Sequence, residues 1–211
     1  MAEIKNEGNC FICGKTLPKA AARNHVLREH AAGDEDCALL RVEGDNKDYW
    51  LYADVAKERT LTELDAFLRG IWLECCGHLS GFRAADGVTI RQVKKFNEFS
   101  VGDKFIFDYD LGTTTECHIA VVGETKRPAQ KKGARLLIRN VPPVFNCSGC
   151  DKRAEYICVE CSGTGKYPYL CLRCAKKHAH ERISKTANSP RSGVCAYDGA
   201  LDTYFFDPGK Y

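Results

Sequence analysis

The sequence predicts an α+β fold, one amphipathic helix laid on a small antiparallel sheet, with a cysteine-rich segment at either end. Three observations carry that prediction. Residues 60–77 (TLTELDAFLRGIWLECCG) repeat apolar side chains at helical period. The segments DYWLYADV, KFIFDYDLG, ECHIAVVGE and ARLLIRNV have strand composition or alternate apolar and polar residues. Finally, thirteen cysteines stand against one methionine in 211 residues, and eight of them fall in four Cys-x-x-Cys pairs.

The elements follow in order. Residues 1–33 hold one Cys pair and one His pair. Residues 34–47 carry Asp34, Glu35, Asp36, Glu43 and Asp45, with Asp48 just beyond, and read as an acidic linker or exposed loop. Residues 48–142 form the α+β domain. Its helix starts at a capping box, Thr60 with Glu63, and buries Leu61, Leu64, Phe67, Leu68, Ile71, Trp72 and Cys75. Gly77 is its C-terminal stop. One helix on three to five antiparallel strands buries the apolar face of both. Residues 143–211 are rich in Cys, Gly and Pro and lack long periodic segments. Such a segment cannot build a sufficient apolar core, so another force must hold it.

Metal is the force that the cysteine spacing suggests. In CFICGKTLPKAAARNHVLREH, Cys10 and Cys13 are followed by His25 and His30. Zinc in a structural site takes four tetrahedral nitrogen or sulfur ligands. A Cys-x-x-Cys turn presents two thiolates. The two His, about one helical turn apart, present imidazoles from one helix face. Leu17 stands where a two-Cys two-His finger places its core aromatic. The helix carries Lys19, Arg23 and Arg28, which suit phosphate contact or protein docking equally. One finger spans only about three base pairs, so a lone finger does not imply DNA reading.

At the other end, Cys147 and Cys150, Cys158 and Cys161, Cys171 and Cys174, then His178 and His180 make eight ligands, the number for two tetrahedral zincs. The spacing resembles B-box and RING-like cross-brace modules. On that analogy Cys147, Cys150, Cys171 and Cys174 share one metal, and Cys158, Cys161, His178 and His180 the other. The sequential pairing stays open. His180 is the weakest ligand: residues i and i+2 lie about 200° apart on a helix, so both can face one metal only if the helix has ended. Cys195 is the reserve ligand or a buried thiol. The phosphate-loop look of SGTGK (162–166) fails on spacing and context, so it reads as a loop. About three zinc ions in all are expected.

No catalytic set stands out, and no small-molecule substrate is evident. Cys75, Cys76 and His78 in ECCGH invite a nucleophile reading, but a helix C-terminus and Glu74 both oppose a thiolate. The plainer reading has Cys75 in the core and His78 completing the turn, with a redox or partial metal role as the remainder. Cys117 and His118 point to opposite strand faces. Asp108 and Asp110 share a face without further sign of acid/base work.

Net charge is +3 and the sequence pI about 8.2, below what alone argues nucleic-acid binding. The basic residues are concentrated, however. Lys126, Arg127, Lys131, Lys132, Arg135 and Arg139 lie in one stretch without an acid, either a solvated hairpin loop or a phosphate-contacting surface. Lys176 and Lys177 flank the last Cys pair, and Tyr167 and Tyr169 are stacking candidates. The N-terminus lacks an apolar signal core, and no apolar stretch nears the roughly 18–20 residues that span a bilayer, so a cytoplasmic protein without membrane contact is expected.

The run TLTELDAFLRGIWLECCGHLSGF followed by KFIFDYDLGTTTECHIAVVGE resembles the plasmid pRiA4b open-reading-frame-three-like family. Tyr109, Asp110, Leu111 and Gly112 match that family's YDFG hairpin, with Leu in place of Phe. Asn188, Ser189, Pro190, Arg191, Gly193, Val194, Cys195 and Tyr197 match an ending found in some members. The resemblance implies a strand–helix unit with an N-terminal finger and a C-terminal Cys-rich segment. It also implies a Cys where this chain has His180, a ligand-for-ligand swap. It brings no catalytic residues, since the family is uncharacterised. The sequence thus predicts a zinc-binding, non-enzymatic adaptor contacting nucleic acid or a nucleoprotein particle. A protein–protein adaptor and a Cys-dependent enzyme centred on Cys75, Cys76 and His78 are the alternatives.

Overall fold

A computed structural model describes residues 2–129, 133–195, 197–204, 206, 207 and 209. The chain opens with β1 (Ala2–Glu3), β2 (Glu7–Cys10) and β3 (Thr16–Pro18), then α1 (Lys19–Glu29). Next come the long strands β4 (Glu35–Gly44) and β5 (Trp50–Ala56), and α2 (Leu61–Leu68), which runs into a π turn at Arg69–Leu73. The strands β6 (Ser80–Ala84), β7 (Thr89–Ile90), β8 (Lys104–Tyr109), β9 (Thr115–Arg127) and β10 (Ala134–Asn140) follow. The last part holds β11 (Val144–Phe145), β12 (Tyr156–Cys158), α3 (Val159–Gly163), β13 (Tyr169–Leu170), α4 (Leu172–Ala175) and β14 (Ile183–Lys185). It is a mixed helix and sheet fold, with antiparallel pairing between neighbouring strands throughout the central sheet. Among the described residues, no helix is long and apolar enough to cross a membrane.

The central sheet has nine strands, in the order β3-β2-β10-β5-β4-β9-β8-β6-β7, rather than three to five. The difference has two sources. First, the N-terminal Cys pair lies at the end of a hairpin, β2 with β3, that joins the sheet by pairing β2 to β10. Second, residues 34–47 are not a linker. Glu35–Gly44 is the central strand β4, held between β5 and β9. The acidic residues at its ends mask an apolar middle, Cys37-Ala38-Leu39-Leu40, all buried. The acids are themselves used: Glu35 pairs with Arg127 at 2.7 Å and Asp36 with Lys126 at 2.7 Å.

Both faces of the sheet centre are covered. Ala38, Leu40 and Val42 of β4 and Leu51, Ala53 and Val55 of β5 pack with Leu61, Leu64 and Leu68 of α2. Leu39, Trp50 and Tyr52, one residue out of phase, face the other way and pack with Ala22 and Val26 of α1. Period-two alternation of strand side chains makes this two-sided core possible. This second helix is the one expected to carry His25; rather than standing apart as a finger, it lies on the sheet and buries the narrow stripe Ala22 and Val26.

The capping box is present: the Thr60 backbone N–H donates to the Glu63 carboxylate at 2.7 Å. The helical segment ends at Leu73, four residues before Gly77. Gly77, at φ +82°, instead turns the chain that follows, a conformation Gly adopts without steric cost.

Candidate metal centres

A zinc ion with four tetrahedral ligands at its usual bond lengths sets the edges of its ligand shell at about 3.8 Å for S···S, 3.6 Å for S···N and 3.4 Å for N···N. The sulfur and imidazole atoms of this chain can be judged against those edges. All thirteen cysteines are thiols; none forms a disulfide.

Cys10 lies at the end of β2 and Cys13 in the turn after it, closed by the Gly14 N–H donating to the Cys10 carbonyl at 2.9 Å. Cys10 Sγ is 3.5 Å from His30 Nε2, Cys13 Sγ is 3.4 Å from His25 Nε2, and the two Nε2 atoms are 3.1 Å apart. The two His do not share a helix face: five residues apart, they would lie about 140° around a helix. The helix ends at Glu29, and His30, with non-helical backbone angles (φ −132°, ψ 12°), swings back to meet His25. Glu29 approaches His25 Nδ1 at 3.4 Å, which turns Nε2 toward the thiols. Leu17 is buried in the cluster behind this site.

In the C-terminal part the alternate Cys pairs come together. Cys147, Cys150, Cys171 and Cys174 form one group, with Cys150 Sγ 3.7 Å from Cys171 Sγ and 3.8 Å from Cys174 Sγ. Cys158, Cys161, His178 and His180 form the other. His180 Nδ1 lies 3.3 Å from Cys158 Sγ and 3.4 Å from Cys161 Sγ, and His178 Nε2 lies 3.4 Å from Cys161 Sγ. The i, i+2 difficulty disappears because α4 has already ended at Ala175 and the two rings present different nitrogens. These groups are carried by the three strands β13-β12-β14, the short helices α3 and α4, and a small cluster of thiols with Leu170.

The thiols in these groups constrain one another. Hydrogen bonds from Cys147 and Cys171 push the Cys174 thiol up to about 12. Burial opposes ionisation of Cys147, but backbone N–H groups at Cys171 and Gly149 and its neighbouring thiols bring it down to about 6. A divalent cation is what allows four such sulfurs to be thiolates together. These donor sets and edges fit a tetrahedral ion of the zinc kind in all three places.

Cys75 packs, partly buried, against the sheet core as expected, but with Cys76 and His78 it also belongs to a cluster of candidate ligands. They meet Cys195, from the far end of the chain, in a fourth group. Cys76 Sγ is 3.0 Å from His78 Nε2, 3.8 Å from Cys75 Sγ and 3.7 Å from Cys195 Sγ. Cys195 is therefore away from the other C-terminal ligands. Its neighbours push the Cys76 thiol up to about 11, first through the hydrogen bond with Cys195, the reverse of what a nucleophile requires. A signal in the sequence could have found this group: a vicinal Cys pair with a nearby His makes three ligands, and Cys195 is the one leftover cysteine in an irregular segment. The remaining two, Cys37 and Cys117, are buried on strands.

The described residues of the basic stretch are held in ion pairs. Arg127 is fully buried and pairs with Asp54 and Glu35. Arg135 pairs with Asp54, Arg139 with Asp202, and Lys126 with Asp36. The sequence window contained no acid because the partners come from other strands and from the tail. Lys131 and Lys132 lie outside the described residues. Lys19 of the finger helix pairs with Glu43 at 2.7 Å, and Arg23 donates to the Val122 carbonyl. Asp108 pairs with Arg83, whereas Asp110 takes Arg191, which holds its carboxyl down at about 2.

No family model and no curated protein matches the chain. A solved structure of a protein of unknown function from Methanosarcina mazei Go1 is similar over 52% of this chain and 70% of its own, at 13% identity and a TM-score of 0.40.

Proposed function

We propose that the chain is a zinc-organised, non-enzymatic binding protein that contacts nucleic acid or a nucleoprotein particle through its C-terminal module. One contrast carries this reading. Residues 143–185 contain eight basic and four acidic side chains. All eight, Lys152, Arg153, Lys166, Arg173, Lys176, Lys177, Arg182 and Lys185, are exposed, and among the described residues none is held in an ion pair. The bases of β9 and β10, by comparison, are held by carboxylates of their own chain. Even with a four-thiolate zinc site contributing negative charge, the module remains basic. Tyr167 adds an exposed aromatic ring beside it, while Tyr169 is already stacked on Phe145 at 3.7 Å. Unneutralised cations with a stacking ring suit a flexible single strand.

Salt dependence tests the reading. Binding of a single-stranded oligonucleotide, followed by anisotropy, is expected to weaken with salt at a log–log slope of about −0.7 per phosphate contacted. Replacing Lys176 and Lys177 by Ala should flatten that slope by about 1.4 units, two contacts' worth. A slope near zero in the intact protein rejects phosphate contact.

The protein–protein adaptor reading has one observation in its favour: Leu79 and Leu111 are 73% and 65% exposed and adjacent in the fold, with the Asp110 N–H donating to the Leu79 carbonyl at 2.9 Å. Membership of the pRiA4b open-reading-frame-three-like family is likewise our reading, resting on the YDLG and NSPR-x-G-V-C sequences.

A further inference from the structure

We propose that Cys75, Cys76, His78 and Cys195 form a fourth metal site, which binds a divalent cation of the zinc kind through three thiolates and one imidazole and latches the C-terminal tail onto the sheet domain.

The distances come first. Cys76 Sγ lies 3.8 and 3.7 Å from the sulfurs of Cys75 and Cys195, and Cys195 Sγ lies 3.6 Å from His78 Nε2. These three match the edges of about 3.8 and 3.6 Å that a tetrahedral zinc imposes, while the Cys76 Sγ–His78 Nε2 edge is shorter, at 3.0 Å. The four ligand atoms all lie within 4.8 Å of one another. A disulfide would instead bring two of the sulfurs to about 2.05 Å.

The surroundings are built for a ligand role. Asp110 Oδ1 stands 3.4 Å from His78 Nδ1, which leaves Nε2 aimed at the sulfurs. Asp110 is itself fixed by the N–H groups of Gly112 and Thr113, at 3.1 and 3.2 Å, and by Arg191. A site of three thiolates and one divalent ion carries a net negative charge. The buried Arg191 guanidinium meets it, with Nη2 3.7 Å from Cys75 Sγ. Cys195 holds φ at +54° and Asp110 at +65°, left-handed conformations that non-glycine residues rarely adopt. Among the described residues, two of the three non-glycine residues with positive φ thus sit at this one cluster.

The site joins distant parts of the chain. Cys195 is 117 residues from His78 and arrives on a tail that grips the same region: Ser189 Oγ donates to the Trp72 carbonyl, and Arg191 donates to the Thr113 carbonyl at 2.9 Å. A metal at the junction would hold the residues around 188–195 against the π turn and the hairpin after β8. The assignment does not depend on what the C-terminal module binds.

The test compares metal content in full-length protein purified with zinc under reducing conditions. Cys195→Ser should carry one metal equivalent fewer than the intact chain by elemental analysis, and limited proteolysis should then cut the tail. An unchanged count, or equal protection of the tail with one equivalent lost, overturns the site or the latch respectively. His78→Cys guards against a misfolded variant: it should keep the full count and, with cobalt in place of zinc, strengthen the thiolate charge-transfer band. An unchanged band overturns the assignment. Thirteen titratable thiols after denaturing and removing metal support it; eleven would reveal a disulfide and sink it.

Discussion

At the scale of single residues, chemistry is decided by partners that the local sequence hides. Asp54 is fully buried on β5 and accepts from Arg127 at 2.7 Å and from Arg135. Arg127 also holds Glu35. Removing one member of a buried ion network leaves the others desolvated and unpaired. Asp54→Ala should therefore destabilise the protein by about 3–5 kcal/mol in urea unfolding, whereas Lys126→Ala, at an exposed pair, should cost no more than about 1 kcal/mol. Equal effects would refute the distinction. The same logic explains His30 and His180. Neither is placed by helical periodicity; each becomes a candidate ligand because the helix before it has already ended.

At the scale of elements, the two ends of the chain have different support apart from their candidate metal sites. The N-terminal hairpin is wedged into the sheet through β10, and Cys10, Leu17 and Val26 share a core with Trp50 and Ile138. The C-terminal module has three short strands, two helices of four and five residues, and a core made mainly of its own thiols. Helices that short are not stable by themselves. Cys158→Ser should remove one metal equivalent and unfold residues 147–185 while the sheet stays intact. Elemental analysis with hydrogen exchange checks both halves, and retained protection across Ile183–Lys185 would contradict it.

At the scale of the whole molecule, stability divides accordingly. The nine-stranded sheet buries Trp50, Trp72, Phe82, Phe96 and Phe107 on a core that needs no ion. Exhaustive chelation at neutral pH should thus abolish near-native exchange protection in the C-terminal module and loosen the tail, yet leave the tryptophan environment of the sheet. Acidification should do the same, since protons compete for thiolates and imidazoles and metal affinity falls with pH. Loss of the entire fold on chelation would show that metal, not apolar burial, carries the sheet.

The sequence alone determined the local features. The helix at Leu61–Leu68 with its capping box, the strands β5, β8, β9 and β10, and the Cys-x-x-Cys pairs depend on spacing within a short window, and spacing is what a sequence displays. Only the tertiary structure decided the rest. It turned an acidic stretch into the central strand β4, because burial of Cys37, Ala38, Leu39 and Leu40 on both sheet faces outweighs charges at the strand ends. It paired alternate cysteines, neutralised the basic stretch with acids from other strands, and carried Cys195 to Cys76. Each of those outcomes joins residues far apart along the chain, where proximity is set by tertiary packing rather than by position in the sequence.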